Sequence, residues 1–202
     1  QTKGHPEQVK KAVEMLVNAE KPVILAGGGI VSSGAHQELT ALAEALMAPV
    51  VTTLMGKGAI SDLHPLCLNQ AGMHGRVVAN WALNNCDVLF CIGARFDDRV
   101  TGDLKHFAPN ARVIHVDIDP AEIGKNVETH LPIVGDARNV LSQMLAVLSN
   151  KKFSGADNEW RRRIKELNAA CTCDFNAIGH PIKPQKVVHL MNKLLPHDGI
   201  MT

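Results

Sequence analysis

Tyrosine is missing altogether, and five Phe and two Trp are the only aromatic residues in a chain of 202. Such a chain offers no stacking platform for single-stranded nucleic acid. An excess of either charge is missing too: 21 Lys and Arg face 20 Asp and Glu, for a formal net charge of +1 at pH 7. No basic run exceeds Arg161–Arg163, which reads as the solvated face of a helix. Nucleic acid and strongly anionic membranes are therefore poor partners. No apolar stretch reaches the roughly 18–20 residues of a membrane span, and the sequence reads as lacking a signal peptide. The five cysteines (67, 86, 91, 171 and 173) do not fall at zinc-ligand spacing, which favours a reduced, cytoplasmic compartment. Gly56-Lys57-Gly58 is not a Walker A loop, and no G-x-S-x-G or metal-ligand cluster occurs. No nucleophile-and-base set emerges, so neither a catalytic residue nor a metal site is assigned. The chain starts at Gln1 and stops at Ile200-Met201-Thr202, and it reads as part of something longer.

What is present is an alternation of buried strands and amphipathic helices. His5–Ala19 has apolar residues at helical spacing (Val9, Ala12, Val13, Leu16, Val17), with Pro6 suited to its first turn. Strands are expected at Val23–Ala26, Val50–Thr53, Leu66–Asn69, Val88–Ile92, Val113–Ile118 and Leu131–Val134. Helices are expected at Ala35–Met47 (with Ser32 and Ser33 as N-cap candidates), Arg76–Asn84, Ala137–Leu148, Asn158–Ala170 and Pro184–Leu195, with a polar turn at 153–157. The pattern predicts a three-layer α/β/α fold: a doubly wound, mostly parallel sheet of about six strands, Rossmann-like.

The organising stretch is Asp87–Gly102, D-V-L-F-C-I-G-A-R-F-D-D-R-V-T-G. A continuous apolar run suits a strand covered on both faces, and it opens into Gly93 and a burst of charge. Either this is a solvated loop or it is a ligand site at a sheet's carboxyl edge. Four other strands also run out into glycine: Gly27–Gly29, Gly56 with Gly58, Gly72 with Gly75, and Gly135. The first run departs from G-x-G-x-x-G, because Ser32 stands where the third Gly belongs. Ahead of a helix it is still a natural phosphate cradle. Asp117 and Asp119 end the H-V-D-I-D strand; Asp119 is expected to cap the turn at Pro120, and Asp117 is the better ligand candidate. Arg95 and Arg99 suit pyrophosphate or a flavin carbonyl, unless Asp97, Asp98 and Asp103 consume them in ion pairs.

Together K-P-V-I-L-A-G-G-G, T-L-M-G-K-G, A-G-M-H-G, G-A-R-F-D-D-R-V-T-G, H-V-D-I-D-P-A-E-I-G-K-N and I-V-G-D-A resemble the central domain of acetohydroxyacid synthase (acetolactate synthase), a thiamine-diphosphate enzyme of branched-chain amino acid biosynthesis. The resemblance implies an extended FAD, largely structural, along the sheet's carboxyl edge. It places Gly27, Gly28 and Gly29 at the diphosphate and ribose. Thr53, Leu54, Met55, Gly72, Met73 and His74 would follow the flavin half. Gly93, Ala94, Arg95, Asp97, Arg99 and Val100 would pack along diphosphate, ribitol and ring. Asp117, Ile118, Glu122, Gly135, Asp136 and Ala137 would surround the adenosine. Met73, His74, Asp98 and Arg99 would also face a substrate channel shared with neighbouring domains. The family's catalytic Glu and its thiamine-diphosphate and Mg²⁺ site belong to domains not represented here; Gly135-Asp136-Ala137 is no G-D-G motif. The resemblance further implies flanking catalytic domains, a homo-oligomer and a possible regulatory subunit. On this reading residues 1–150 form the FAD-binding domain, and 151–202 a helical connector towards the thiamine-diphosphate domain. Two alternatives stay open: an NAD(P)- or ADP-binding domain of another enzyme, and the central domain of a glyoxylate carboligase, which the intact Asp97-Asp98-Arg99 disfavours.

Overall fold

The structure is a computed structural model that describes residues 3–149, 158–170, 179–196, 198 and 199. Six strands form one sheet: β1 (Pro22–Ala26), β2 (Val50–Thr52), β3 (Cys67–Gln70), β4 (Val88–Ile92), β5 (Arg112–Asp117) and β6 (Leu131–Val134). Their order is β3-β2-β1-β4-β5-β6, and every pair is parallel. All five residues of β1 and of β4 are buried, as central strands with helices on both faces require. Alternation along the strands sorts the core into two layers. Ile24, Phe90 and Ile114 pack under α1 (Pro6–Val17), α3 (His36–Leu46) and α6 (Ala137–Ser149). Val23, Leu25, Leu89 and Val113 pack under α4 (Val77–Asn85) and α7 (Glu159–Ala170).

Two short helices interrupt what the sequence reads as loops: α2 (Gly28–Ser33) directly after β1, and α5 (Asp98–Thr101) in the charged segment after β4. Ser32 and Ser33 therefore lie inside α2 and do not cap α3. Ser33 Oγ turns back to donate to Gly29 O at 2.7 Å, and Ala35 precedes α3 without a side-chain cap. A shift in register between Val50 and Val51 of β2, beside Asn69 at φ 65°, carries β3 to Gln70, one residue past the expected end. The Arg161–Arg163 run is only partly solvated. Arg161 donates to the carbonyls of Met47 (2.8 Å) and Leu46 (3.1 Å) at the end of α3, while Arg162 and Arg163 are exposed. Trp160 stacks on Trp81 of α4 at 5.2 Å, fixing α7 to the second layer. The expected turn at 153–157 and the Cys171–Cys173 pair lie outside the described residues.

Residues 1–168 and 169–202 are two compact units. The second holds α8 (Pro184–Leu194), an amphipathic helix none of whose residues is buried. No helix among the described residues is long and apolar enough to cross a membrane.

Candidate functional site

Parallel strands all deliver their carboxyl ends to one edge, and the order reverses direction between β1 and β4. That gap is the topological switch point, where loops part and leave a crevice. Here the backbone past five of the six strands continues the ladder by one more hydrogen bond. Ala71 N–H donates to Thr52 O (3.0 Å), Thr53 to Ala26 (3.0 Å), Gly27 to Ile92 (3.0 Å), Gly93 to Val116 (2.8 Å) and Gly135 to Asp117 (3.0 Å). The rim is thus a continuous floor across six strands, roughly 24 Å wide at the usual strand spacing.

Glycine at the switch point answers to contact between two backbones. A Cβ on Gly27 would sit 2.0 Å from Gly93 O, and one on Gly29 would sit 2.6 Å from Gly93 Cα. Gly93 itself adopts φ 62°, where an L side chain is strained. Gly29 N–H donates to Gly93 O at 3.0 Å, so two of the three amides in the triple-glycine run hold the rim together.

Above this floor lies a crevice of about 1170 Å³. At the β2/β3 end it is walled by Thr53, Leu54, Met55, Met73 and His74. Its middle is formed by Gly28, Gly29, Gly93, Ala94, Arg95, Asp97, Asp98, Arg99 and Val100. Its far end has Asp117, Ile118, Glu122, Gly135, Asp136 and Ala137. Gly27 and Gly72 alone of the expected residues stay out of the wall. Gly27 lies beneath it, and Gly72, at φ 98°, packs so that a Cβ would be 2.1 Å from Arg99 O. Asn80 of α4 brackets Gly72, accepting from its N–H (2.8 Å) and donating to its carbonyl (3.0 Å). Met73 N–H then donates to Arg99 O (3.0 Å), which brings Met73 and His74 beside the α5 arginine.

Ser32, Ser33, Gln70, Ala71 and Val116, none of them expected at the site, also line the crevice, as does Asp119, the weaker of the two candidates on its strand and expected to cap the turn. Gln70 and Ala71 could have been found from the rule that strand ends face the ligand. The serines could not, because α2 was not foreseen.

The acidic residues of the wall also serve local structure. Asp97 accepts from Arg99 N–H (3.1 Å), Asp117 from Asp119 N–H (2.9 Å), Asp119 from Ala121 N–H (2.9 Å) and Asp136 from Asn139 N–H (3.1 Å). Each contact engages one carboxylate oxygen. Glu122 accepts from Lys125 Nζ at 3.0 Å. The arginines are less committed: Arg99 lies 3.9 Å from Asp98, both exposed, and Arg95 forms no ion pair among the described residues. Asp103, the third expected partner, is engaged by His106 (2.7 Å), which holds its carboxyl below the usual range. No group of His, Cys, Asp and Glu among the described residues could hold a metal ion.

Beneath the crevice, His115 on β5 is fully buried. Its Nε2 lies 2.9 Å from Ala94 O, which can only accept, so Nε2 carries the proton in the neutral ring. Burial holds the imidazole below its ordinary value of 6.5, outweighing the Ala94 hydrogen bond and the nearby Asp117 and Glu122. The folded-state value is thus depressed: its stability contribution is complete above about pH 6.5. It falls as the pH drops from there towards the folded value, because the unfolded chain takes the proton first. The melting-temperature advantage of wild type over His115→Gln should therefore shrink as pH is lowered from 7 to 5. A difference independent of pH would contradict the neutral, buried assignment.

A reversing parallel sheet, a glycine-built rim and a crevice along the whole carboxyl edge define the class: a doubly wound α/β domain with the architecture of nucleotide-binding domains. Residues 9–144 match the family described as "Thiamine pyrophosphate enzyme, central domain", and the chain belongs to that family. It is 52% identical over 194 residues to a probable acetolactate synthase large subunit of Methanocaldococcus jannaschii, an alignment covering 96% of this chain and 33% of the relative. The acetolactate synthase large subunit of Buchnera aphidicola subsp. Schizaphis graminum is 45% identical over 201 residues (100% of this chain, 35% of the relative). The isozyme 3 large subunit of Escherichia coli K12 is 43% identical over 204 residues (100% and 36%). The chain thus spans about a third of the length of these relatives.

Proposed function

We propose that this domain binds FAD, extended along the carboxyl edge of its sheet, as part of an acetolactate synthase large subunit. The observation that carries the reading is the single crevice that runs from His74 to Asp136 and crosses the switch point. Its chemistry changes along its length in the order such a ligand requires. Around the β2/β3 end the wall is apolar and unusually exposed: Leu54 is 66%, Met55 74% and Met73 62% accessible. Flexible, apolar side chains of this kind suit a flat, polarisable ring. The middle carries the arginines Arg95 and Arg99, which match a diphosphate. The far end offers Asp117 and Asp136, acceptors for ribose hydroxyls or an adenine amine, beside the exposed Ile118.

The flavin in this reading is largely a structural element, not a net redox participant. What the chain's own residues do is bind and orient it, and through Met73, His74, Asp98 and Arg99 line one side of a channel for substrate. Residues 1–150 would be the FAD-binding part and 151–202 the connector to a further domain. The full-length protein would carry thiamine diphosphate and Mg²⁺ elsewhere and join two 2-ketoacids with loss of CO₂, pyruvate giving 2-acetolactate. It would do so in the cytoplasm, as a homo-oligomer with a regulatory subunit as a possible partner.

Purified full-length protein should carry a flavin absorption spectrum and form acetolactate from pyruvate, whereas the 202-residue chain should form none. A flavin-free protein that cannot be reconstituted with FAD would overturn the cofactor assignment. Acetolactate formation by the 202-residue chain would overturn the division of labour.

A further inference from the structure

The segment between β4 and α5 is built under strain. Phe96 adopts φ 54°, a left-handed conformation that is strained for a non-glycine residue. Something must hold it there, and three sets of contacts do. The Phe96 ring is buried, edge-on to His115 at 4.8 Å and to Phe107 at 5.8 Å. From the core, His115 Nε2 donates to Ala94 O at 2.9 Å. From the surface, Asn126 Nδ2 donates to Phe96 O at 3.0 Å, with a longer approach to Arg95 O at 3.4 Å. Three successive carbonyls, of Ala94, Arg95 and Phe96, are thus gripped by two side chains from β5 and the loop that follows it. Neither side chain lines the crevice, but the residue whose backbone they enclose is Arg95, which does.

We propose that His115 and Asn126 are positioning residues that hold the 94–98 turn in its strained shape and so fix where Arg95 enters the crevice wall. The inference rests on the FAD reading for its consequence in binding, though not for the shape of the turn itself. It gives a role to two positions of the H-V-D-I-D-P-A-E-I-G-K-N motif that the ligand assignment leaves unused. It also accounts for a buried histidine whose Nδ1 has no partner: only the Nε2 side is needed.

The test compares His115→Leu, His115→Gln and Asn126→Asp in the full-length protein by FAD titration, thermal melting and amide hydrogen exchange. His115→Leu and Asn126→Asp each remove one donor to the turn and should weaken FAD binding roughly 3- to 10-fold, the effect of one lost hydrogen bond. His115→Gln keeps an N–H donor near the Nε2 position and should stay within about 2-fold of wild type. Exchange should accelerate at 94–98 in the two weakened proteins without rising across the sheet. His115→Gln binding as weakly as His115→Leu would overturn the proposal. So would affinity loss that tracks exchange throughout the domain, because that is general destabilisation. Should His115→Leu fail to fold, the surface variant Asn126→Asp decides by the same criteria. If wild type itself takes up no FAD, the cofactor reading falls. Local acceleration at 94–98 then supports the clamp, and its absence overturns it.

Discussion

Gly27→Ala should lower the melting temperature by roughly 6–12 °C. The added Cβ would lie 2.0 Å from Gly93 O and 2.6 Å from Ala94 Cβ. The nearest of these atoms is backbone, so no rotamer change relieves the clash. Overpacking usually costs about 1–3 kcal/mol, and a clash with backbone at a strand junction belongs at the upper end or beyond. The damage would be specific, because the same displacement must stretch the Gly27 N–H to Ile92 O and Gly29 N–H to Gly93 O bonds of the rim. Gly34→Ala is the informative control. Gly34 ends α2 at φ 64°, and an added methyl group there would have no neighbour within 4 Å, so only left-handed strain of about 1 kcal/mol is incurred. If the two substitutions cost the same, close approach of the two backbones is not what requires glycine at position 27.

Arg95→Ala should weaken FAD binding roughly 10- to 100-fold, the loss of one charge-assisted contact of about 1.5–3 kcal/mol. Arg162→Ala should leave it unchanged. Both residues are exposed arginines in the same chain, so their removal alters net charge equally. They differ in place: Arg95 lines the crevice and has no ion pair among the described residues, whereas Arg162 lies on the solvated face of α7. A charge left unpaired beside a crevice is desolvated only when a ligand arrives, and an anionic group is what would make that favourable. Equal effects from the two substitutions would undo the assignment of the arginine-bearing wall.

The strands were legible because buried parallel strands write themselves as uninterrupted apolar runs. Val88–Ile92 is found where expected, and β5 is displaced by only one residue, from Val113–Ile118 to Arg112–Asp117. The convergence of Gly28, Gly93 and Asp117 on one crevice follows from the topology, since parallel strands bring their carboxyl ends together wherever they stand in the chain. The short helices were not legible. G-G-I-V-S-S joins two glycines to two β-branched residues and has low helix propensity; α2 forms because Gly29 is tied to Gly93 and Ile30 is buried in the core. Long-range ties escaped for a similar reason. Asn80 around Gly72, Asn126 across the 94–98 turn and Arg161 on the end of α3 join positions eight, about thirty and more than a hundred residues apart. A polar residue in the sequence does not announce which distant carbonyl it will reach. Asp97, Asp117 and Asp136, expected as ligands, prove to be turn and helix caps, a role that an acidic residue at a strand end does not distinguish, in sequence alone, from ligand binding.

If one crevice accommodates both halves of an elongated, adenine-bearing flavin, titration of the full-length protein with FAD, FMN and ADP will show it. FAD should bind more tightly than either half, since only it engages the Met73 and Asp117 ends at once. ADP binding as tightly as FAD, or no binding of any of the three, would contradict it.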